Sequence, residues 1–269
     1  MLTKYPRVAL LVNPVTANAE SNLATAVKMI HEAAGNGSDL VLLGEMAVTG
    51  MLNNDNPVHD LPLSESIPGL ITTQLSETAE ELGIWLGTGL LERDGARLYD
   101  TAVLFSPKGD IRLKYRRVQP MWHGRHADPT VYCQGTELFA AETNYGKMAF
   151  MICGDLFDDC LRRRMQDMHP DWLLHLYARC FPDGSRDQNR WTKNEIPEYA
   201  KQVSEIGVPM FSTSYVCIER FSQEADAFGG AMVIDRDGVV IDTYPLDKSG
   251  ILYIDSEKIP RGNLKTHFH

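Results

Sequence analysis

Met148-Ala149-Phe150-Met151-Ile152-Cys153-Gly154-Asp155 is the stretch on which the fold turns. Five uncharged apolar residues read as a strand buried on both faces. Gly154-Asp155 ends it, and a helical pattern follows from Asp158 to Met168. Working outward, similar apolar runs recur. Upstream lie Val8 to Val12, Leu40 to Leu43, Ile84 to Leu91, Leu98 to Phe105 and Ile111 to Tyr115. Helical spacing falls between them at Glu20 to Ala34 and Ile71 to Leu82, each closed by a glycine. Downstream come strands at Leu173 to Tyr177 and Val208 to Thr213, with a helix from Glu195 to Ile206 between them. Short strands around the Asp235-Arg236-Asp237-Gly238 turn close the chain. No linker or repeat divides it, so the expectation is an α+β fold in one domain spanning 1–269, with layered sheets covered by helices. The consecutive strands between 84 and 115 count against a (β/α)₈ barrel.

The 269 residues carry 26 Lys and Arg against 36 Asp and Glu, a net charge of −10 that disfavours general nucleic-acid binding. An apolar fraction of 43% with 23% charged residues is that of a globular chain and argues against disorder. No apolar run approaches a membrane span, and the N-terminal apolar run is too short for a signal peptide. Five cysteines without a CxxC pair indicate neither a disulfide framework nor a zinc ribbon. The expected setting is the cytoplasm, with no nucleic-acid or membrane partner.

Walker, HExxH and GxSxG patterns are absent. His123 and His126 with Cys133 lack a convincing fourth ligand for a metal. Cys153 stands out because a side chain on a sharp strand-to-helix turn projects into the open, where following backbone N–H groups can face an oxyanion. A helix N-terminus close behind would favour its thiolate. The bland alternative is a buried core cysteine. Glu45 ends the Leu40 to Leu43 run at a sheet rim, where partial desolvation would suit a general base; otherwise it is a solvated loop acid. Lys114-Tyr115-Arg116-Arg117 ends another strand and offers a cation for a tetrahedral intermediate, or a plain basic patch.

Taken in order, these three strand ends resemble the nitrilase, or carbon–nitrogen hydrolase, superfamily. Gly44-Glu45 with Thr49-Gly50 is similar to its Pro-Glu strand end, Cys153-Gly154-Asp155 to its Cys-x-Asp nucleophile segment, and Phe228-Gly229-Gly230 with the Asp235 to Gly238 turn to its late hairpin. The resemblance implies a four-layer αββα sandwich, a Glu–Lys–Cys site, no metal or organic cofactor, and a homodimer or higher homo-oligomer. Two departures stand out. Arg117 occupies the position of the family lysine, with Lys114 three residues earlier and pointing elsewhere on a regular strand. Asp128, eight residues counted inclusively before Gly135, takes the place of a second glutamate.

The implied activity is thiol-dependent hydrolysis of a small amide or N-carbamoyl compound. Cys153 would attack, Glu45 would move protons, and Arg117 with the Gly154-Asp155 backbone would hold the oxyanion. Asp128 would position groups around the pocket. Trp122, His123 and Arg125 would line it, and a substrate carboxylate would be met by Arg179 or Arg125 or not be recognised at all. The alternatives are nitrile hydrolysis or acyl transfer on the same cysteine, or a degenerate member kept for binding or regulation.

Overall fold

The computed structural model describes residues 5–220 and 226–260. In chain order the elements are β1 (Arg7–Val12), β2 (Pro14–Val15), α1 (Ala19–Gly35), β3 (Leu40–Leu42), α2 (Pro57–Leu63), α3 (Leu70–Leu82), β4 (Trp85–Asp94), β5 (Arg97–Phe105) and β6 (Ile111–Arg116). The second half comprises β7 (Ala140–Thr143), β8 (Gly146–Ile152), α4 (Asp159–Met168), β9 (Trp172–Leu176), α5 (Gln188–Arg190), α6 (Ile196–Ile206), β10 (Met210–Thr213), β11 (Val216–Cys217), β12 (Gly229–Ile234), β13 (Val240–Leu246) and β14 (Gly250–Asp255).

They build two six-stranded sheets, ordered β14-β1-β3-β4-β5-β6 and β13-β12-β10-β9-β8-β7, with β2 and β11 forming a small bridge. The pleat sorts side chains between layers. On the first sheet Val8, Leu10, Val12, Leu40, Leu42, Ala102 and Leu104 belong to the core shared with the second sheet. The alternate residues Ala9, Leu11, Val41, Val103 and Phe105 pack with Leu23, Ala26 and Ile30 of α1 and Leu75 and Ala79 of α3. On the second sheet, Leu161 and Met165 of α4 and Tyr199 and Val203 of α6 join the core from the other side. This is the expected four-layer order, helix–sheet–sheet–helix, and the two sheets exclude the barrel. The sheets meet where β1 faces β10 and β12 and where β5 faces β8.

Strand and helix positions follow the apolar periodicity closely. Among the numbered elements longer than three residues, two were not anticipated: α2, which starts at Pro57 behind an Asn56 cap, and the edge strand β7. Both are too short for a period to register. The helical segment expected from Glu195 instead begins at α5 and passes through a π turn, Trp191–Glu195, before α6.

Phe150 fixes the sheet spacing at one point, since a Cβ on Gly87 would lie 2.6 Å from Leu42 Cδ2 and 3.3 Å from Phe150 Cζ. Replacing the fully buried Phe150 by alanine should cost about 3–5 kcal/mol of stability, read from urea denaturation.

Candidate active site

Glu45 lies just past β3, on a turn that runs against β4. Gly89 permits the approach: a Cβ there would stand 2.7 Å from the Glu45 Cα. The Glu45 side chain is fully buried. Its Oε1 accepts from Arg117 Nη1 at 2.9 Å, and its Oε2 accepts from the Ala178 backbone N–H at 2.6 Å. Ala178 follows β9, so one carboxylate ties the end of the first sheet to the end of the second.

Arg117 follows β6 on the inward side of the pleat, in step with buried Leu113 and Tyr115. Besides Glu45, its Nη1 reaches Asp100 Oδ2 at 3.4 Å, and its Nη2 donates to Gln119 Oε1 at 3.1 Å. A Cβ on Gly154 would fall 2.6 Å from Arg117 Nη2, so the guanidinium lies directly against the residue after Cys153. Lys114 points to the opposite face, as the alternation requires. There Lys114 and Arg116 both pair with Glu92, and Thr101 also donates to it. Burial opposes the charge on Glu92, but these donors hold its pKa down to about 2.

Cys153 opens a 3₁₀ turn, Cys153–Phe157, with φ of 45°, a left-handed backbone that non-glycine residues adopt at a cost. Asp155 holds that turn. Its Oδ2 accepts from Tyr115 Oη at 2.6 Å and the Ile152 N–H at 3.0 Å, and its Oδ1 from the N–H groups of Gln119 at 2.8 Å and Val118 at 3.2 Å. From below, His175 Nε2 meets the Cys153 carbonyl at 3.2 Å and its Nδ1 meets Ser212 Oγ at 2.7 Å. Burial lowers the His175 pKa to about 4, so the ring is neutral. The carbonyl needs a donor, which puts the ring proton on Nε2 and makes Nδ1 the acceptor from Ser212.

Burial pushes Glu45 up to about 8; the neighbouring Cys153 adds to the shift and Arg117 opposes it. Burial likewise raises Asp100 well above the usual carboxylate range, with Glu45 adding to it. Burial alone would lower the Arg117 pKa, but its acidic neighbours, with Glu45 and Asp100 among them, hold it above its ordinary value. Arg117 is therefore a permanent cation beside a carboxyl group that can change its charge near neutral pH.

The structure thus brings Glu45, Arg117, Cys153 and Gly154 together. It does not bring Asp128 with them: that carboxylate is exposed and turned onto the N–H and hydroxyl of Thr130, because its loop folds back locally. Trp122 is buried behind the Glu45 turn with Met46, Leu91 and Tyr132. His123 faces Gln134 and the Gly124 carbonyl, and Arg125 is exposed. Nor does α4 aim its N-terminus at Cys153. The 3₁₀ turn intervenes, and Asp158 caps the N–H groups of Cys160 and Leu161. Arg179, next to Ala178, pairs with Glu195 on the π turn, while its Nε is buried without a partner. Beside it stand Trp191 and Tyr199, whose Nε1 and hydroxyl are likewise buried and unpartnered.

Sequence reasoning missed Asp100, His175 and Tyr199. A signal existed for the first two: each is the only ionisable group with a near-neutral or acidic pKa inside an apolar strand, Leu98 to Phe105 and Trp172 to Leu176.

Among known proteins, an aliphatic nitrilase of Sinorhizobium fredii (strain HH103) is 25% identical over 97% of this chain and 89% of its own length. An omega-amidase of Xenopus tropicalis is 33% identical, over 55% of this chain and 54% of its own length. The crystal structure of a carbon-nitrogen hydrolase from Helicobacter pylori G27 superposes with a TM-score of 0.78 at 20% identity, covering 93% of this chain and 88% of that one. Among the described residues no helix is long and apolar enough to cross a membrane. The carbon-nitrogen hydrolase family matches residues 7–258, and the chain belongs to that family.

Proposed function

We propose that the protein is a thiol amidohydrolase, cleaving the C–N bond of a small amide or N-carbamoyl compound through a thioester on Cys153. The observation that carries this reading is the buried Glu45–Arg117 contact lying against the turn that presents Cys153. Glu45 takes the thiol proton as sulfur bonds to the carbonyl carbon. The oxygen, now negative, is met by Arg117 and by backbone N–H groups of the Gly154-Asp155 turn. Collapse of this intermediate breaks the C–N bond, and Glu45 returns the proton to the departing nitrogen. Water then attacks the thioester, losing a proton to Glu45, and the acid leaves as Cys153 is reprotonated.

Arg117 supplies charge and hydrogen bonds here, but no proton, because it stays a cation throughout. A nitrile is the alternative electrophile, favoured by the nearly full-length match to a nitrilase. Arg179 is the proposed contact for an anionic end of the substrate: its unspent Nε and the unpartnered Tyr199 hydroxyl offer donors beside the site. The cytoplasm is proposed from the sequence alone, since five cysteines without a CxxC pair indicate no disulfide framework. A homo-oligomer is proposed by resemblance alone, and sedimentation checks it.

Cys153→Ala should abolish turnover of a panel of small amides and nitriles. Undiminished turnover would sink the scheme, and a Cys153 inert to electrophiles would point to a binding protein instead. Because Glu45 must be ionised to accept a proton and its pKa is raised, kcat/KM should climb with pH through a midpoint near 8 and fall away below it. Arg179→Leu should raise KM by about 10–100-fold for carboxylate-bearing amides and leave neutral amides unaffected; equal effects on both classes would dismiss the contact.

A further inference from the structure

We infer that Asp100 is a resident neutral carboxylic acid, a positioning residue that keeps its proton so that Glu45 alone carries the negative charge of the site. Glu45 and Asp100 are both buried to 1% exposure or less, and both address the same nitrogen, Nη1 of Arg117. Arg117 is the only cation in contact with either carboxylate among the described residues. Two ionised carboxylates and one guanidinium would leave an unbalanced negative charge in a dry space between the sheets, so one carboxyl group retains a proton.

Hydrogen-bond partners decide which one. Both Glu45 oxygens already accept, from Arg117 at 2.9 Å and from the Ala178 N–H at 2.6 Å, leaving the anion well solvated by the protein. Asp100 has only the longer 3.4 Å contact through Oδ2, and its Oδ1 is buried with no partner at all. A carboxylate there would be poorly served, whereas a carboxylic acid can turn its proton toward Glu45. The titratable and charged groups facing Asp100 are Glu45 beyond β3, Arg117 beyond β6 and Asp155 beyond β8. Asp155, held by its own four donors, lies close enough to add to the pressure on Asp100 to stay neutral. The raised values of both Asp100 and Glu45 agree in direction with a buried pair that retains a proton.

The consequence for the proposed reaction concerns charge balance. With Asp100 neutral, Glu45 and Arg117 sum to zero before the thiol gives up its proton. Afterwards Arg117 and the sulfur sum to zero again. No step then builds net charge in the buried space. The protonation assignment itself does not need the hydrolase reading, since it rests on contacts alone.

The test is infrared spectroscopy of the resting protein with ¹³C-labelled aspartate, recorded well above the midpoint at which Glu45 ionises. A label-sensitive carboxylic-acid C=O band is expected, and it is lost in Asp100→Asn. Absence of such a band in the wild type, or its persistence in Asp100→Asn, overturns the assignment. Because this readout needs no turnover, it separates failure of the assignment from failure of the proposed activity. In the active protein, Asp100→Asn should leave the acid-limb midpoint of kcat/KM where it is, because an amide is as neutral as the acid it replaces. A drop of about one pH unit or more would mean that an ionised Asp100 had been repelling the charge on Glu45, and would overturn the proposal.

Discussion

A carboxylate shared between two sheets is the constraint from which the rest of the site descends. Glu45 follows the end of an interior strand of the first sheet, takes one hydrogen bond from Arg117 of that sheet and another from Ala178, just past β9 of the second. Stripping water from such an ion pair costs several kcal/mol per ion, and the contacts recover it only where the geometry is good. Each partner therefore depends on the other, and losing either one alone would strand a buried charge. The same desolvation that makes the arrangement costly raises the Glu45 pKa toward neutrality. Stability and chemistry draw on one physical cause here: the dryness of the space between the layers.

Around that pair the fold arranges a second device, the turn carrying Cys153. A positive φ at a non-glycine residue survives only where its surroundings leave no alternative. Asp155 meets that requirement with four donors, two of them backbone N–H groups from the segment just beyond Arg117. The clamp on the cysteine turn is thus also the clamp on the strand end that delivers Arg117. Neutral His175 fixes the same turn from the sheet side through its ring proton. Gly154 completes the fit, since any larger residue would collide with the guanidinium.

Much of this was readable from residue order. Runs such as Val8 to Val12 and Met148 to Ile152 marked the strands, and their breaks at Gly44-Glu45 and Cys153-Gly154 marked two of the site's corners. The period-two rule also separated Lys114 from Arg117, and the two do lie on opposite faces of the strand. Counting along the chain failed where a loop intervened. Asp128 sits at a suggestive spacing from Gly135, yet its loop turns the side chain onto Thr130. The helix expected from Asp158 to Met168 stands where it was read, but a 3₁₀ turn separates it from Cys153 and its N–H groups are capped locally by Asp158.

By itself the sequence determined the layered α+β architecture and marked Glu45, Cys153 and Arg117 as the candidates at its strand ends. These follow from patterns that are local: apolar periodicity, chain breaks, and residue types at strand ends. Only the tertiary structure decided which carboxylate joins Arg117. Asp100 and Asp128 are equally acidic on paper, and nothing within a strand says which of its faces will be dry. Packing one sheet on the other buried Asp100 beside Glu45 and left Asp128 in water. Burial and charge proximity are properties of that packing, and they are what turn an ordinary acid into part of a site.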